Sequence, residues 1–555
     1  MALGIFVVCI IEGFIYYHDT EDRVLRILLN IQNAIKAYKI DPDIKLREAV
    51  AFLHESDSYF EKFIGSLYCL CIIVAPFCTV AGLTLLVRTY VGFRKGRSGR
   101  KGAESIIVMG EGTYKKNFIK AFSKSGDRYK VYTVEKAPLQ GEEKVRLISS
   151  GIRIILDYED GNTVKSARVR DINSILLCDE DPFNNLKLLN EITKAEGLKA
   201  SQKIFFVCRE DGISDIVRKW YDAQEMAERP VLTIYDPKKK AAEEVLMETP
   251  IADYVEAPYD VHVGILGFGE FGRNFFLSAA NMAVMSADSK IVFDLYDSGM
   301  EKILPVFLSN FNSKILDKVE KKNGYYEVEI KAEDGDPFDT DGLFVMRFFT
   351  ANAETLHFSA LLEKNAEEMP YNYFVIALDT DAKAASVITE IGRITGINGK
   401  PAIVIRAKEH DILLDNVKSV REGVNIYSYE ALMNTEIVDR AKDFHIKYSI
   451  LAGGNSEWDK AGFYNREGSI AQSMHQPVKE KLAKLSLTDE DKIKIEHRRW
   501  NIYTIMTGYA NEKGLKKKDP ARKVHDCILN FDRLKERRSD TLPYDYIPWK
   551  MISKE

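Results

Sequence analysis

The sequence predicts an α/β protein built on two tandem doubly wound parallel sheets, and three observations predict it. An apolar strand runs into a glycine turn and then a helix at two places, "SIIVMGEGTYKKNFIKAF" and "VHVGILGFGEFGRNFF". Each is followed by a strand that ends in an acid, Glu135 in the first copy and Asp297 in the second. Later segments also match in pairs: "INSILLCDEDPFNNLK" with "YNYFVIALDTDAKAAS", and "KIFFVCREDGI" with "PAIVIRAKEHD". Alternating strands and helices with short turns build a parallel sheet covered on both faces, and a repeated unit means a repeated domain.

Composition bounds the rest. The 555 residues exceed one hydrophobic core, which predicts about three to four domains. The charged fraction of 29% and hydrophobic fraction of 46% are those of a folded globular protein. A net charge of -5 gives no global support to nucleic-acid binding. The 7 cysteines show neither zinc nor redox spacing, so free thiols and no metal site are expected.

The N-terminal region, residues 1–93, reads as a membrane helical hairpin. "FIGSLYCLCIIVAPFCTVAGLTLLV", residues 63–87, carries no charge over a length sufficient to span a bilayer. The segment after it, with Arg88, Arg94, Lys95, Arg97, Arg100 and Lys101, has no acid and marks the cytosolic side. Residues 94–103 are a basic linker. A second span, residues 2–17, contains Glu12, which either lines a pore or sits near the interface. Between the spans, "RVLRILLNIQNAIKAY" has apolar residues at helical spacing and reads as a pore, interfacial or extracytoplasmic helix. No TVGYG-type filter is present. The expected location is the inner (cell) membrane, with the bulk of the chain cytoplasmic.

The first Rossmann domain is placed at residues 104–240. Its turn holds Gly110 and Gly112, with Lys115 where a third glycine is expected. That lysine either crowds a pyrophosphate or helps neutralise it. The second domain, residues 241–444, carries the full G-x-G-x-x-G as Gly267, Gly269 and Gly272. These glycines permit a tight turn, close backbone approach to phosphate and close helix packing, and the acid ending the second strand accepts ribose hydroxyls. No His/Asp or Tyr/Lys pair in a following substrate domain supports hydride transfer, so an enzyme is not expected.

This layout resembles the regulator-of-potassium-conductance family, which includes the NAD-binding subunits of Trk-type potassium uptake systems. The resemblance runs over about residues 105–424 and rests on "GEGTYKKN…VEK…LDYED…LLCDEDPFNNL". It implies nucleotide positions at Gly110, Gly112, Glu135, Asp157 and Asp179 in the first copy. In the second copy it implies Gly267, Gly269, Gly272, Asp297 and Asp379. It further implies NAD or another adenine nucleotide as cofactor, and a homo-oligomeric ring, tetramer favoured over dimer, that gates a pore. Lys115 and the missing filter depart from the pattern.

Residues 445–481 read as a helical linker, and 482–555 as a small, mostly helical domain. "EHRRWN", "TGY", "KKKDPARKVHDCILNFDRL" and "RRSDTLPYDYI" are similar to the ryanodine-receptor repeat domain of bacterial proteins. Arg498, Arg499, Lys523 and His525 are candidates for a phosphate, and Trp500 or Tyr509 for stacking on a ring. The alternative is a Glu–Arg pair on a helix with Trp500 in the core. The function expected is a ligand-gated membrane channel or effector in contact with the lipid bilayer and a small nucleotide-like ligand. The alternative is a membrane-anchored nucleotide sensor without its own pore, acting on a transporter or in a stress or antiphage pathway.

Overall fold

The structure is a computed structural model that describes residues 2–552. Excepted are 17–22, 38–43, 45, 56–57, 76–102, 126–127, 140, 157–168, 210, 227, 312–318, 323, 330–342, 397–399, 409–416, 422–425, 513–514 and 516–517. The chain divides into two compact units, residues 1–106 with 123–161, and residues 107–122 with 162–555.

The first unit begins with four helices: α1 (Ala2–Tyr16), α2 (Arg23–Ala37), α3 (Leu46–Glu55) and α4 (59–75). Small buried side chains, Cys9, Ala34, Ala37, Ala49 and Cys71, let them approach closely around Tyr68. The Tyr68 hydroxyl donates to Asn33 Oδ1 at 3.2 Å, and Asn33 Oδ1 also accepts from the Ile44 amide at 3.3 Å. Among the described residues no helix is long and apolar enough to cross a membrane. The expected first span is a 15-residue helix, α1. The expected second span is helical to residue 75, and its remainder lies outside the described residues, as does the basic linker except Ala103. The membrane hairpin is thus not found as a described feature. Within this unit β2 (Lys130–Glu135) and β3 (Arg153–Leu156) pair in parallel, with Tyr132 opposite Arg153, beside α6 (Gly141–Ser149).

The first sheet has the strand order β3-β2-β1-β4-β5-β6, in which β1 is Ser105–Met109, β4 Ser174–Leu177, β5 Lys203–Val207 and β6 Val231–Tyr235. The doubly wound order 3-2-1-4-5-6 is that of a Rossmann sheet. Helices α5 (Thr113–Lys124), α7 (Pro182–Thr193), α8 (Asp211–Asp222) and α9 (Pro237–Glu248) follow β1, β4, β5 and β6.

The second sheet has eight strands in the order β14-β13-β12-β7-β8-β11-β10-β9. Six of them, β7 (Val261–Leu266), β8 (Ile291–Asp297), β11 (Phe344–Thr350), β12 (Tyr373–Ile376), β13 (Ala402–Ala407) and β14 (Val417–Arg421), repeat the same order in parallel. The hairpin β9 (Val319–Lys322) and β10 (Tyr325–Glu329) extends the edge in antiparallel fashion, Tyr325 opposite Phe349. Every residue of β7 is buried, as a central strand covered on both faces requires. One helical face over the sheet is filled by α12 (Leu356–Glu368) and α13 (Asp381–Thr395), whose Phe358, Leu362 and Ile391 pack with Phe374, Ile376 and Ile405. The sheet also contains a polar knot. Asp294 accepts from Arg347 Nε at 2.6 Å and from the Tyr371 hydroxyl at 2.6 Å, and lies 3.0 Å from His262 Nε2. These charges are buried but mutually satisfied, the condition on which a core tolerates them.

Helices α10 (Glu270–Met282) and α11 (Met300–Leu308) follow β7 and β8, and α14 (Tyr429–Met433) precedes the C-terminal layer of α15 (Glu436–Ala452), α16 (Phe463–Leu482), α17 (Asp489–Met506), α18 (Phe531–Arg537) and α19 (Leu542–Lys550). α15 runs through the boundary expected at residue 444. It stops at Gly453, which takes the left-handed conformation (φ 70°) and returns its amide to Ile450 and Ser449.

Candidate functional site

The second glycine turn connects β7 to α10. Gly267 has φ 95°, and a Cβ there would stand 2.6 Å from the Ala377 carbonyl oxygen. A Cβ on Gly272 would stand 2.1 Å from the Gly267 oxygen, so helix and turn are in direct backbone contact. Gly269 is the N-cap of α10. No side chain caps the helix there, and nothing lies within 4 Å of an added Cβ. Among the described residues no side chain thus occupies the positive end of the helix dipole at Gly269, the kind of helix start that receives a phosphate. Asp297 ends β8 and accepts from the amides of Phe268 (2.8 Å) and Gly299 (2.7 Å). Its carboxylate braces the turn and keeps lone pairs for a ribose hydroxyl. Asp379 is exposed after β12 and pairs with Lys383 at 3.2 Å. The residues present fit the phosphate and ribose of a nucleotide at this turn.

The first glycine turn is built alike and filled differently. Gly110 (φ 115°) lies against the backbone of Asp179, and Gly112 (φ 93°) against the side chain of Glu180. Glu180 Oε1 accepts from the Thr113 amide at 2.6 Å, and Asp179 Oδ2 accepts from the Glu111 amide at 3.0 Å. Asp179 also receives the Asp181 amide and the Asn184 side chain. The Thr113 amide holds the Glu180 carboxyl below its ordinary range. Two of the protein's own carboxylates thus take the amides that an incoming anion would use. Lys115 is buried on α5. In the other compact unit, Glu135 accepts from Thr133 Oγ1 at 2.7 Å. Asp157 lies outside the described residues.

A cleft of about 360 Å³ opens in the larger unit at the start of α5 and α10. Its charged wall holds Lys120, Arg209, Lys238, Arg406 and Lys408, with the carboxylates of Glu180 and Glu270. Arg209 Nε stands 3.6 Å from Glu270 Oε1, and the Tyr114 hydroxyl reaches the same oxygen at 3.4 Å. Burial, and then the Glu270 charge, push the Tyr114 hydroxyl well above its ordinary range. Asp236, the N-cap acid of α9, accepts from the Lys238 and Lys239 amides, and burial pushes its carboxyl up to about 7. The sequence reading passed over the cleft residues. A signal existed: Arg209 follows β5 and Arg406 lies near the end of β13, the matched fifth strands, at the carboxyl edge where open α/β sheets bind ligands.

Of the C-terminal candidates Arg498, Arg499 and Tyr509 are buried, Trp500 and His525 are half-buried, and Lys523 is exposed. Arg498 Nη1 donates to the Ser286 oxygen at 2.9 Å and the Ala287 oxygen at 3.3 Å. Arg499 donates to Asn281 Oδ1 at 2.7 Å and to Glu496 Oε1 at 2.6 Å, and Lys479 meets Glu496 from the other side at 2.7 Å. Both arginines are buried, and they fasten α17 to α10 and to the loop after it. The two cations hold the Glu496 carboxyl down at about 2. Trp500 packs against the cluster of Cys527, Leu529 and Leu534. Tyr509 is buried with its ring 4.8 Å from that of Tyr464. Lys523 Nζ donates to the Thr507 oxygen at 3.3 Å. His525 Nδ1 accepts from the Cys527 amide at 3.2 Å. Among the six, the Trp500 and His525 rings meet edge-on at 4.9 Å. His525, Asp526 and Cys527 do bring ligand atoms within 4.8 Å of one another, a cluster that a search for spaced ligands overlooks. Burial pushes the Cys527 thiol up to about 11, and Arg538 is paired with Asp526, both of which oppose a cation. Glu12 is buried within the N-terminal helices.

No known family profile matches the chain, and no curated protein sequence does. Solved structures do. GsuK bound to ADP aligns with 78% of this chain and 95% of its own, at 11% identity and a TM-score of 0.34. A point mutant of GsuK aligns with 76% and 94%, at 11% identity and a TM-score of 0.33. A dipicolinate synthase chain from Bacillus halodurans aligns with 57% and 88%, at 11% identity and a TM-score of 0.18.

Proposed function

We propose that the protein is a nucleotide-responsive regulator in which the second Rossmann sheet binds NAD or another adenine nucleotide. One observation carries this reading: the α10 N-terminus is uncapped and open at Gly269, above an acid, Asp297, at the end of the second strand. The role is sensing rather than catalysis. The ligand shifts a homo-oligomer, tetramer favoured, between two states, and the N-terminal helices pass that shift to the inner membrane as a pore or effector. The second version lacks a pore and acts on a separate transporter or defence pathway. The uncharged run at 63–87 and the basic segment after it favour a membrane link in either version.

Titration calorimetry of ADP and NAD into the full chain tests the nucleotide reading. Gly269→Asp places a carboxylate in the phosphate position and is expected to abolish binding; unchanged affinity rejects the assignment. Ligand-dependent ion flux in liposomes, abolished or altered by Glu12→Ala, separates the channel from the pore-free sensor.

A further inference from the structure

The polar cleft at α5 and α10 adjoins the first glycine turn through Thr113 and Glu180, while Gly267, Gly269 and Asp297 of the second turn are not among its lining residues. We infer that it is a second binding site, which takes the diphosphate or longer phosphate chain of a small ligand and grips it from both Rossmann copies at once.

Charge comes first. Three cations are supplied by the first copy (Lys120, Arg209, Lys238) and two by the second (Arg406, Lys408). Against these five cations the lining sets two carboxylates, Glu180 and Glu270, so its balance of charge is positive. In a concave site such an excess focuses the field and draws in anions. Two of the cations are guanidinium groups, whose planar forks match phosphate oxygens in pairs.

Position comes second. Arg209 follows β5 and Arg406 lies near the end of β13, the fifth strands of the two matched sheets. Both sheets thus present the same topological location, the carboxyl edge beside the first crossover, to one cleft. The Arg209–Glu270 pair spans 3.6 Å between side chains exposed to 40% and 28%. An ion pair that long and wet holds weakly, so a stronger anion can displace the carboxylate at little cost. The volume of about 360 Å³ lies at the lower end of small-molecule sites, more than a diphosphate fills. Thr113 and Asn117 on the same wall offer hydrogen-bond partners to hydroxyls of the remainder. A ligand bridging the two sheets gives the regulator a contact whose free energy depends on their relative arrangement.

The probe is inorganic pyrophosphate, titrated calorimetrically into the full chain, with ADP in parallel. Saturable pyrophosphate binding that weakens with added salt is expected. The double variant K120E/K408E, at two exposed positions, should weaken it at least tenfold while leaving the thermal melt unchanged. Arg406→Gln should weaken it severalfold. Gly269→Asp should leave pyrophosphate affinity within twofold of the parent. Absence of pyrophosphate binding at millimolar concentration, or affinity indifferent to K120E/K408E, overturns the site. Loss of pyrophosphate binding in Gly269→Asp also overturns it, by placing the anion in the glycine turn. If ADP binding survives Gly269→Asp while pyrophosphate follows the cleft charges, the nucleotide assignment of the turn fails and the cleft stands.

Discussion

The two glycine turns share a backbone plan and differ in what satisfies it. In the first, Glu180 takes the Thr113 amide and Asp179 takes the Glu111 amide. In the second, the residue matching Glu180 is Asp379, which pairs with Lys383 in solvent. Leu378 matches Asp179, and Thr380, matching Asp181, caps α13 through the Lys383 amide. One side chain at the end of the fourth strand thus decides whether a helix N-terminus is closed by its own protein or left to a ligand. A duplicated fold can keep its geometry in both copies while keeping its binding capacity in one.

The largest expected effect tests the tightness of the second turn. Gly272→Val forces side-chain atoms into a gap where a Cβ already lies 2.1 Å from the Gly267 oxygen. Backbone on both sides leaves little room to relax, and a loss of about 3 kcal/mol in unfolding free energy is expected. Urea denaturation measures it; a loss under about 1 kcal/mol would mean that turn and helix are not in the contact described.

Next in size is a contrast in pH response between α9 and the C-terminal layer. Burial pushes Asp236 and Glu243 up to about 7, so between pH 4 and 7 the folded state binds more protons there than the unfolded chain. Their contribution to stability rises as pH falls from 7. Burial pushes His525 down to about 4, so between pH 6.5 and 4 the unfolded chain binds more protons, and stability falls over the same descent. Shifts of this size correspond to about 2 kcal/mol each between pH 7.5 and 5, with opposite sign. Hydrogen exchange, normalised for intrinsic rates, should show protection growing in α9 and declining around residues 525–534. Parallel changes in the two regions would contradict the assignment.

Much of the fold was legible because the strand–glycine–helix pattern is local. The second sheet's acid, Asp297, is the last residue of β8, as its place in the sequence implies. The β9–β10 hairpin was not foreseen, since an edge extension carries no repeat to match it. The site was legible in part. Glycines announce a turn, but whether its amides are free depends on Glu180, some 70 residues away in the chain. The C-terminal arginines misled for a related reason. Cationic residues on a helix read as available for ligand, yet α17 has polar residues on the face that packs on α10, and Asn281 and Glu496 receive them there. Sequence shows that a cation is present and not which partner it faces.

The comparison can be reversed by exchange. Asp379→Glu gives the second copy the side chain that the first has at this position. One methylene longer, the carboxylate can reach the α10 amides and compete with phosphate. Nucleotide affinity at this turn is expected to fall at least tenfold, about 1.4 kcal/mol, with the fold retained. Affinity equal to that of the parent would show that the position after the fourth strand does not control access.

The smallest effect comes from the converse change. Glu180→Ala removes the acceptor from the Thr113 amide and the negative charge at the start of α5. Loss of a capping acceptor at a helix N-terminus costs about 1 kcal/mol. The same variant exposes the amides of the first turn, and it also removes a carboxylate from the cleft wall. Pyrophosphate should therefore bind more tightly than to the parent, as stability declines. The pairing of a small stability loss with an affinity gain is diagnostic: a carboxylate serving only as a cap gives the first without the second. If both quantities fall together in Glu180→Ala, the carboxylate is part of the binding surface and not its occupant, and the two turns differ less than their side chains suggest.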